Sequence, residues 1–209
     1  MFRVPANHFI TDLQNETLTL TAESGIPSNA TLYFKGLKGC TITVQTPCTK
    51  VFIERCVDTK VTLSSRIVTQ MLEVWKSNGV DISVDTTVFT VQADDVRDSS
   101  VVFGSKEQFG QVVWTNCAGL AVSVKEEQDS KLVVGLEGQS APEGITLVES
   151  DQFIVRFVDG ILTSELVVRV GTGGFTTTIR EDDRFIEKQN ANMEKLSRDI
   201  MNNVKAVPK

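Results

Sequence analysis

The sequence predicts an all-β protein, a parallel β-helix that is followed by a C-terminal β-hairpin and a short amphipathic α-helix. Three observations predict this fold. Pairs of apolar residues recur about every twenty residues over much of the chain, an Asp-Gly dipeptide separates two β-rich runs near residue 160, and apolar residues adopt helical spacing after residue 180. Each pattern indicates one kind of element, because strands, turns and helices place side chains with different periods.

The repeat consists of five segments, each with two apolar pairs whose members are two residues apart. This spacing places both side chains on one face of a strand, and the second pair begins ten residues after the first, so each repeat holds two strands joined by a turn. The segments are Leu32/Phe34 with Ile42/Val44, Val51/Ile53 with Val61/Leu63, Leu72/Val74 with Ile82/Val84, Val91/Ala93 with Val101/Phe103, and Val112/Trp114 with Val122/Val124. Their starts are separated by 19, 21, 19 and 21 residues. A nearly constant period is expected when each coil buries its inner face against its neighbours.

A sandwich of β-hairpins is the structural alternative. Hairpin strands need no fixed period and usually join through two-residue Asn-Gly or Asp-Gly turns, so the steady repeat favours the β-helix. We expect the β-helix to occupy residues 1–150. Its first coil, residues 1–30, is expected to be looser, because only Ile10, Leu18 and Leu20 continue the apolar pattern there.

The repeat breaks down after Lys131, where glycine and proline interrupt the strands. Further on, Asp159-Gly160 joins the β-rich runs 153–158 and 161–170, which is a strong hairpin signal. We expect a terminal hairpin at residues 151–172. It either covers the end of the stack or is exchanged with a second copy of the chain, because an uncapped end exposes unpaired backbone groups. The Gly-rich run 170–175 lacks the Gly-Lys-Ser/Thr ending of a phosphate-binding loop and is interpreted as a flexible link to the helix.

A helical stripe follows within residues 180–206. Its members are separated by steps of 4, 4, 3, 4 and 4, and they are Phe185, Gln189, Met193, Leu196, Ile200 and Val204. Two interpretations remain open: the helix packs back on its own domain, or it docks on a partner as a short coiled coil. In the second case the partner-binding residues are Phe185, Met193, Leu196 and Ile200.

The composition excludes several classes of function. A net charge of -6 and an isoelectric point of about 4.9 disfavour binding to nucleic acid or to an anionic membrane surface, which depends on Lys and Arg. No stretch approaches the roughly 18 apolar residues of a membrane span. The N-terminus has no apolar run of the kind found in a signal peptide, so a cytoplasmic protein is expected.

The cysteines and the single histidine also disfavour a chemical site. The cysteines form no CxxC pair and lie far from His8 in the sequence, whereas zinc sites usually need ligands at short spacing. We interpret them as buried thiols that act as small apolar residues; they are Cys40, Cys48, Cys56 and Cys117. With only His8 as a possible base, nucleophilic catalysis has no support. We therefore expect no metal, no cofactor and no enzyme activity.

The outward positions of the repeat provide the candidate functional face. Alternation places Tyr33, Phe52, Glu73 and Val113 in one column, and Lys35, Glu54, Trp75 and Thr115 in the next. Three outward aromatic residues on neighbouring coils are unusual in solvent, and Tyr and Trp are enriched at interfaces. Either another part of the chain covers them, or a protein-binding face is formed by Tyr33, Lys35, Phe52, Glu54 and Trp75.

The coils also resemble those of a known family. The segments KVFIERCVDTKVTL (50–63), VDISV (80–84) and VVF (101–103) are similar to coils of the C-terminal domain of cyclase-associated protein, which shares its fold with tubulin-folding cofactor C. That family carries coils of the form aromatic-Ile-x-x-Cys-Val-x-x-x-Val/Leu. Its members also have a segment like Asp151-Gln152-Phe153 before a hairpin. The resemblance covers roughly residues 30–170.

The resemblance implies a right-handed β-helix that dimerises by exchanging its hairpin, here through Phe153, Val155, Phe157, Leu166 and Val168. It also implies a cytoskeleton-associated protein that binds monomeric actin and promotes exchange of its ADP for ATP. The contacts would run along the face that contains the three outward aromatic residues. A partner that binds the open or nucleotide-free form of actin more tightly lowers the affinity of actin for nucleotide by the same factor.

Two alternative functions are also considered. A short β-helix with an amphipathic tail can serve as a structural component of a cytoskeletal, ciliary or microtubule assembly. The cofactor C branch instead stimulates GTP hydrolysis through an arginine four residues before a coil cysteine and a glutamine two residues before that. Phe52 and Lys50 hold these positions before Cys56, while Val113 and Gln111 hold them before Cys117. The resemblance therefore gives GTPase activation little support.

Overall fold

The computed structural model describes residues 6–126, 130–171 and 174–205, with side chains as far as residue 201. Residues 1–5, where the predicted first coil begins, and Thr172 and Gly173 of the Gly-rich run lie outside the described residues. The chain divides into two compact units, Met1–Glu165 and Leu166–Lys209, and each has its own architecture.

Two parallel sheets, whose strands alternate along the chain, build most of the first unit. The strands are β1 (Asn7–Thr11), β2 (Thr17–Leu20), β3 (Thr31–Lys35), β4 (Thr41–Val44), β5 (Lys50–Glu54), β6 (Lys60–Leu63), β7 (Met71–Trp75), β8 (Asp81–Val84), β9 (Val88–Asp94), β10 (Ser100–Phe103), β11 (Phe109–Thr115) and β12 (Leu120–Val124). The odd-numbered strands lie side by side in one sheet and the even-numbered strands in the other. The chain thus makes about 6 turns of a β-solenoid, and the predicted parallel β-helix is confirmed.

The apolar pairs that predicted the repeat form the core of this unit. All twenty residues of the five paired segments are at most 2% exposed. The register brings equivalent residues together, so that Leu32 lies beside Val51 and Val51 beside Leu72. Burial of an aliphatic side chain of this size stabilises a fold by about 1.5–3 kcal/mol. Each coil therefore gains stability only because its neighbours cover its apolar side chains.

The first coil is more regular than the sequence predicted. All five residues of β1 pair with β3, and all four residues of β2 pair with β4. The irregular part of the first coil is the long connection from β2 to β3, which contains a short 3-10 helix at Ala22–Ser24. The apolar pattern is weak here because His8 takes the position opposite Leu32, so only Ile10 is apolar in the first pair.

Two residues with positive φ shape the turn that follows each odd-numbered strand. The first comes directly after the strand and the second three residues later. They are Asp12 and Asn15, Gly36 and Gly39, Arg55 and Asp58, Lys76 and Gly79, Asp95 and Asp98, and Asn116 and Gly119, with φ between 45° and 67°. Asp, Asn and Gly adopt this left-handed conformation more readily than other residues. Most of the acidic residues in these turns therefore have a conformational role.

All four cysteines are buried free thiols, as the sequence predicted. The Cys56 thiol donates hydrogen bonds to the backbone oxygens of Phe34 at 3.5 Å and Glu54 at 3.6 Å. Burial raises the pKa of Cys48, Cys56 and Cys117 to about 11, because the thiolate loses its hydration in the core. These thiols are therefore core residues rather than nucleophiles.

Antiparallel strands end both sheets of the first unit. Strand β13 (Lys131–Val134) pairs with β12, and β14 (Gln152–Val158) pairs with β11. Parallel stacking therefore ends at Val124, although the sequence predicted that the β-helix continues to residue 150. Between β13 and β14 the chain forms turns and a short 3-10 helix at Leu136–Gly138. Phe153 of β14 stacks on Trp114 with ring centroids 4.3 Å apart, so that this strand covers the last coil.

The predicted hairpin continues from β14 through Asp159 and Gly160 into β15 (Ile161–Val170). Both turn residues have positive φ, 50° and 87°, as a type I′ turn requires. In the second unit, the end of β15 pairs with one further antiparallel strand, β16 (Phe175–Thr178). The Gly-rich run was expected to link the hairpin directly to the helix, but this strand lies between them. It is too short for its period to be recognised in the sequence.

Helix α1 spans Ile179–Lys205, whereas the sequence predicted residues 180–206. The hydroxyl of Thr178 accepts a hydrogen bond from the backbone N–H of Glu181 at 3.4 Å. Glu181 and Asp182 place acidic side chains in the first turn. Both features stabilise a helix N-terminus, where backbone N–H groups lack partners within the helix.

Candidate protein-binding face

The outer face of the odd-numbered strands carries the two columns of side chains that the alternation predicts. In the first column Tyr33 lies beside Phe52, followed by Glu73, Gln92 and Val113. In the second, Lys35 lies beside Glu54, followed by Trp75, Asp94 and Thr115. Five side chains proposed from the sequence, Tyr33, Lys35, Phe52, Glu54 and Trp75, therefore share one surface of three successive coils.

The aromatic residues of this face touch one another in a continuous row, named here the aromatic ladder and consisting of Phe9, Tyr33, Phe52 and Trp75. The rings of Phe9 and Tyr33 stack at 4.6 Å, and those of Tyr33 and Phe52 stack at 4.7 Å. Trp75 meets Phe52 edge to face at 5.2 Å. Mutual contact leaves Tyr33, Phe52 and Trp75 half-buried and holds their rings in place.

Phe9 is a member of the ladder that sequence reasoning missed. It is 57% exposed and lies beside Tyr33 in the register of β1 and β3. The signal was available, since Phe9 directly precedes the inward Ile10 and must therefore point outward. It was missed because the first coil was expected to be looser than the others.

Charged side chains flank the ladder as pairs of opposite sign. Lys50 contacts Glu73, and its Nζ also lies 4.5 Å from the centre of the Phe52 ring. Lys35 pairs with Glu54 at 3.3 Å. The Lys35–Glu54 pair is partly exposed and contributes little to stability, whereas the side chains of Lys50 and Glu73 are only 21% and 13% exposed. Both pairs neutralise charges beside the rings. Lys50 also escaped the sequence analysis, because its contact with the ladder depends on the neighbouring coil.

A shallow depression of about 260 Å³ lies at the Trp75 end of the ladder, and its lining residues are Glu54, Trp75, Lys76, Asp94 and Asp95. The carboxylates of Glu54, Asp94 and Asp95 therefore lie near the Trp75 ring, together with the amine of Lys76.

The residues predicted for hairpin exchange fall into two groups. Phe153 and Val155 are at most 1% exposed within the first unit, and Phe157 meets Phe109 edge to face at 5.3 Å. Leu166 and Val168 belong to the second unit and are half-buried. The first group therefore packs against the chain's own solenoid.

The residues predicted to bind a partner through the helix are exposed. Phe185, Met193, Leu196 and Ile200 are 59%, 69%, 61% and 54% exposed. Ile186 and Met201, which the sequence analysis did not select, are 47% and 65% exposed. The side chain of Val204 lies outside those that the structure describes.

The positions that would carry an arginine finger hold other side chains. Phe52 belongs to the aromatic ladder, and Val113 lies at the end of the same column. Gln111 donates a hydrogen bond from its amide to the Thr90 hydroxyl at 3.3 Å. Arg55 stands in a turn and contacts Glu54 at 3.5 Å. The face therefore offers stacked rings and paired charges, which suit protein binding.

Within residues 6–126, 130–171 and 174–205, no group of three or more His, Cys, Asp and Glu side chains is arranged to hold a metal ion. In the same described part of the chain, no helix combines the length and the hydropathy that are needed to cross a bilayer.

Comparison with known proteins identifies the family of this chain. Residues 2–159 match the family model described as adenylate cyclase associated (CAP) C terminal. The crystal structure of cyclase-associated protein from Cryptosporidium parvum is similar in fold, with a TM-score of 0.54 and 16% sequence identity over 79% of this chain and 93% of that one. A comparison with curated protein sequences finds no significant match. The chain belongs to the family of cyclase-associated protein C-terminal domains, which are actin-binding domains of the cytoskeleton.

Proposed function

We propose that this chain binds monomeric actin through the aromatic ladder and the charged pairs beside it, and that it promotes the exchange of ADP for ATP on actin in the cytoplasm. Membership of residues 2–159 in an actin-binding family is the observation that carries the proposal. The ladder adds a surface on which binding can occur. We place Tyr33, Lys35, Phe52, Glu54 and Trp75 at the centre of this surface and Phe9 at its edge.

The ladder has the properties of an interface centre. Large aromatic side chains contribute disproportionately to binding energy, and rings held by their neighbours lose little rotamer entropy when a partner covers them. The rings stack at 4.6 and 4.7 Å, which leaves them little freedom to turn. The ion pairs Lys35–Glu54 and Lys50–Glu73 form a polar rim beside the rings.

Nucleotide exchange follows if the face binds one form of actin more tightly than another. A partner that prefers open or nucleotide-free actin weakens nucleotide binding by the same factor. The chain then needs no catalytic group of its own. This agrees with a face that is built from rings and neutralised charges.

Release of a fluorescent nucleotide from monomeric actin tests the proposal. We expect the chain to accelerate release, and the double variant Tyr33→Ala/Phe52→Ala to weaken actin binding by about thirtyfold, the equivalent of about 2 kcal/mol. Phe175→Ala is the matched control, because Phe175 is 73% exposed and belongs to the second unit. Circular dichroism and urea unfolding verify that each variant is folded.

Three results would contradict different parts of this proposal. If the unaltered chain neither binds actin nor changes nucleotide release, the proposed function is wrong. If it binds but the double variant and Phe175→Ala behave alike, the face is wrong while actin binding stands. If the chain binds actin but does not accelerate nucleotide release, only the proposed exchange activity is wrong.

We further infer that the chain dimerises by exchanging its hairpin, through Phe153, Val155, Phe157, Leu166 and Val168. Domains of this family dimerise, and the connection from β13 to β14 is long. The stacking of Phe153 on Trp114 can form equally well when β14 comes from a second copy. Light scattering should give a mass of twice 23.0 kDa. Two differently tagged copies that are unfolded and refolded together should then copurify, whereas a monomeric mass contradicts the exchange.

A structural role within a cytoskeletal assembly is the second candidate function. It is favoured by helix α1, which lies outside the matched residues 2–159 and exposes Phe185, Met193, Leu196 and Ile200. A chain that ends at Thr178 separates the two candidates. Loss of cytoskeletal localisation with intact actin binding supports the structural role, and unchanged localisation contradicts it.

A further inference from the structure

Helix α1 carries an apolar stripe along most of its described length. Ile186, Met193, Leu196 and Ile200 are between 47% and 69% exposed. A helix in water owes most of its stability to the packing of its apolar face, so an exposed stripe requires a partner. The stripe lies beyond residues 2–159, and the actin-binding family therefore does not account for it.

From Ile186 onward the stripe follows a heptad pattern. Ile186, Met193 and Ile200 are seven residues apart and occupy one position, a. Gln189 and Leu196 follow at position d, three residues later. Isoleucine at a combined with leucine at d favours two helices over three or four.

Charged residues of the helix lie away from this seam. Positions b, c and f hold Glu187, Lys188, Glu194, Lys195 and Arg198. Of these, Arg198 pairs with Glu194 at 3.7 Å along the outer surface.

The positions that flank the seam between Ile186 and Ile200 are mostly uncharged. They hold Asn190, Asn192, Ser197 and Asp199. A foreign helix is usually selected by opposite charges at these flanking positions. When a second copy of α1 lies against these positions, almost no like charges come together. A second copy of α1 is therefore the partner that fits best.

Gln189 decides the orientation of such a pair. In a parallel, in-register pair each seam residue faces its own copy, and the two Gln189 amides can hydrogen-bond to each other. An antiparallel pair would place Gln189 opposite an apolar residue, which leaves its amide without a partner. The same parallel register stacks isoleucine on isoleucine and leucine on leucine.

We propose that α1 forms a parallel two-stranded coiled coil with α1 of a second copy of this chain, through Ile186, Met193, Leu196 and Ile200. This pairing is independent of actin binding and of hairpin exchange.

Disulfide cross-linking of the full chain tests this arrangement. The natural cysteines are at most 2% exposed, so an introduced surface cysteine is the reactive thiol. Ile200→Cys places a thiol in the seam, while Ala191→Cys places one on the exposed opposite side of the helix. A mild oxidant takes two electrons and two protons from a pair of thiols as the disulfide forms. We expect Ile200→Cys to give covalent dimers about tenfold faster than Ala191→Cys.

A further variant controls for chance collision. Adding Leu196→Glu to Ile200→Cys places a carboxylate in the seam and should slow cross-linking about tenfold. Equal rates for Ile200→Cys and Ala191→Cys overturn the proposal, and so does a rate that Leu196→Glu leaves unchanged. A mixture of Gln189→Cys and Ile200→Cys that cross-links faster than either alone indicates an antiparallel pair, in which residue 189 faces residue 200, and overturns the parallel arrangement. In a dimer that is held only by the hairpin, Ile200→Cys should cross-link no faster than Ala191→Cys, and this result would also overturn the proposal.

Discussion

Trp114 joins the last parallel coil to the strands that cover it. Its ring stacks on Phe153 at 4.3 Å, and its indole N–H donates a hydrogen bond to the Ser164 hydroxyl at 3.1 Å. The ring is fully buried, so the N–H depends on that single partner. One side chain thus links β11, β14 and β15.

Replacement of Trp114 should separate the contribution of packing from that of the hydrogen bond. Trp114→Ala removes the stacked ring and should lower the free energy of unfolding by about 3–5 kcal/mol. Trp114→Phe keeps a ring against Phe153 but leaves the Ser164 hydroxyl without its donor, so we expect a smaller loss of about 1–3 kcal/mol. Urea unfolding measures both values. Equal losses for the two variants would contradict this role of the ring.

Cys48 should make the fold sensitive to alkaline pH. Burial raises the pKa of its thiol from its ordinary value of 9.0 to about 11, so between these pH values the unfolded chain releases a proton that the folded chain retains. The free energy of unfolding should therefore fall as pH rises from about 9 to about 11. Urea unfolding at pH 8, 9.5 and 10.5 measures this slope.

Cys48→Ala provides the control for the alkaline slope. Lysine and tyrosine side chains also titrate in this range, but the substitution leaves them in place. The variant should show a shallower decrease in the free energy of unfolding than the unaltered chain. The same slope in both proteins would show that Cys48 does not contribute.

At the scale of the elements, the turn after each odd-numbered strand depends on the coil before it. Gly79 has a φ of +64°, and a Cβ added there would lie 2.5 Å from a carboxylate oxygen of Asp58. Asp58 occupies the equivalent position in the preceding coil and itself has a φ of 48°. These turns are therefore packed against one another as closely as the strands are.

Gly79→Ala should destabilise the fold more than Gly25→Ala. Both glycines have positive φ, but a Cβ at Gly25 would meet no atom within 4 Å. Gly25→Ala should therefore cost only the conformational penalty of about 1–2 kcal/mol, whereas Gly79→Ala adds the contact with Asp58. Urea unfolding of both variants gives the comparison.

The contact with Asp58 has a test of its own. Asp58→Gly introduced together with Gly79→Ala should recover part of the lost stability, because glycine adopts the φ of 48° at residue 58 without strain and removes the carboxylate that the new Cβ would meet. Equal costs at Gly25 and Gly79 would show instead that the turns are not tightly stacked.

For the molecule as a whole, the paired charges predict weak dependence of actin binding on salt. The net charge is -6, but the face carries Lys35 and Lys50 beside Glu54 and Glu73. If the rings supply most of the binding energy, the Kd for actin should change less than about threefold between 50 and 200 mM salt. Salt screens unpaired charges more than paired ones. Titration of actin at both salt concentrations measures the change. A tenfold change would indicate that charge, not the ladder, drives binding.

The solenoid and its outward columns could be predicted because strands impose a strict period of two. That period placed Tyr33 and Phe52 outward and Val51 and Ile53 inward, as the structure has them. Phe9 could have been found by the same reasoning. Strand β16 could not, because four residues carry too little periodicity. The antiparallel pairing of β13 also left no sign in the spacing, since direction depends on how the chain returns to the sheet.

By itself, the sequence determined the repeat, its buried pairs, the hairpin turn and the helical stripe, because each depends on neighbours within one coil or one helix. Only the tertiary structure decided that Phe9, Tyr33, Phe52 and Trp75 form a continuous ladder and that Lys50 lies over the Phe52 ring. These contacts join residues about twenty positions apart. They depend on the register between coils, which a local pattern of apolar residues does not specify.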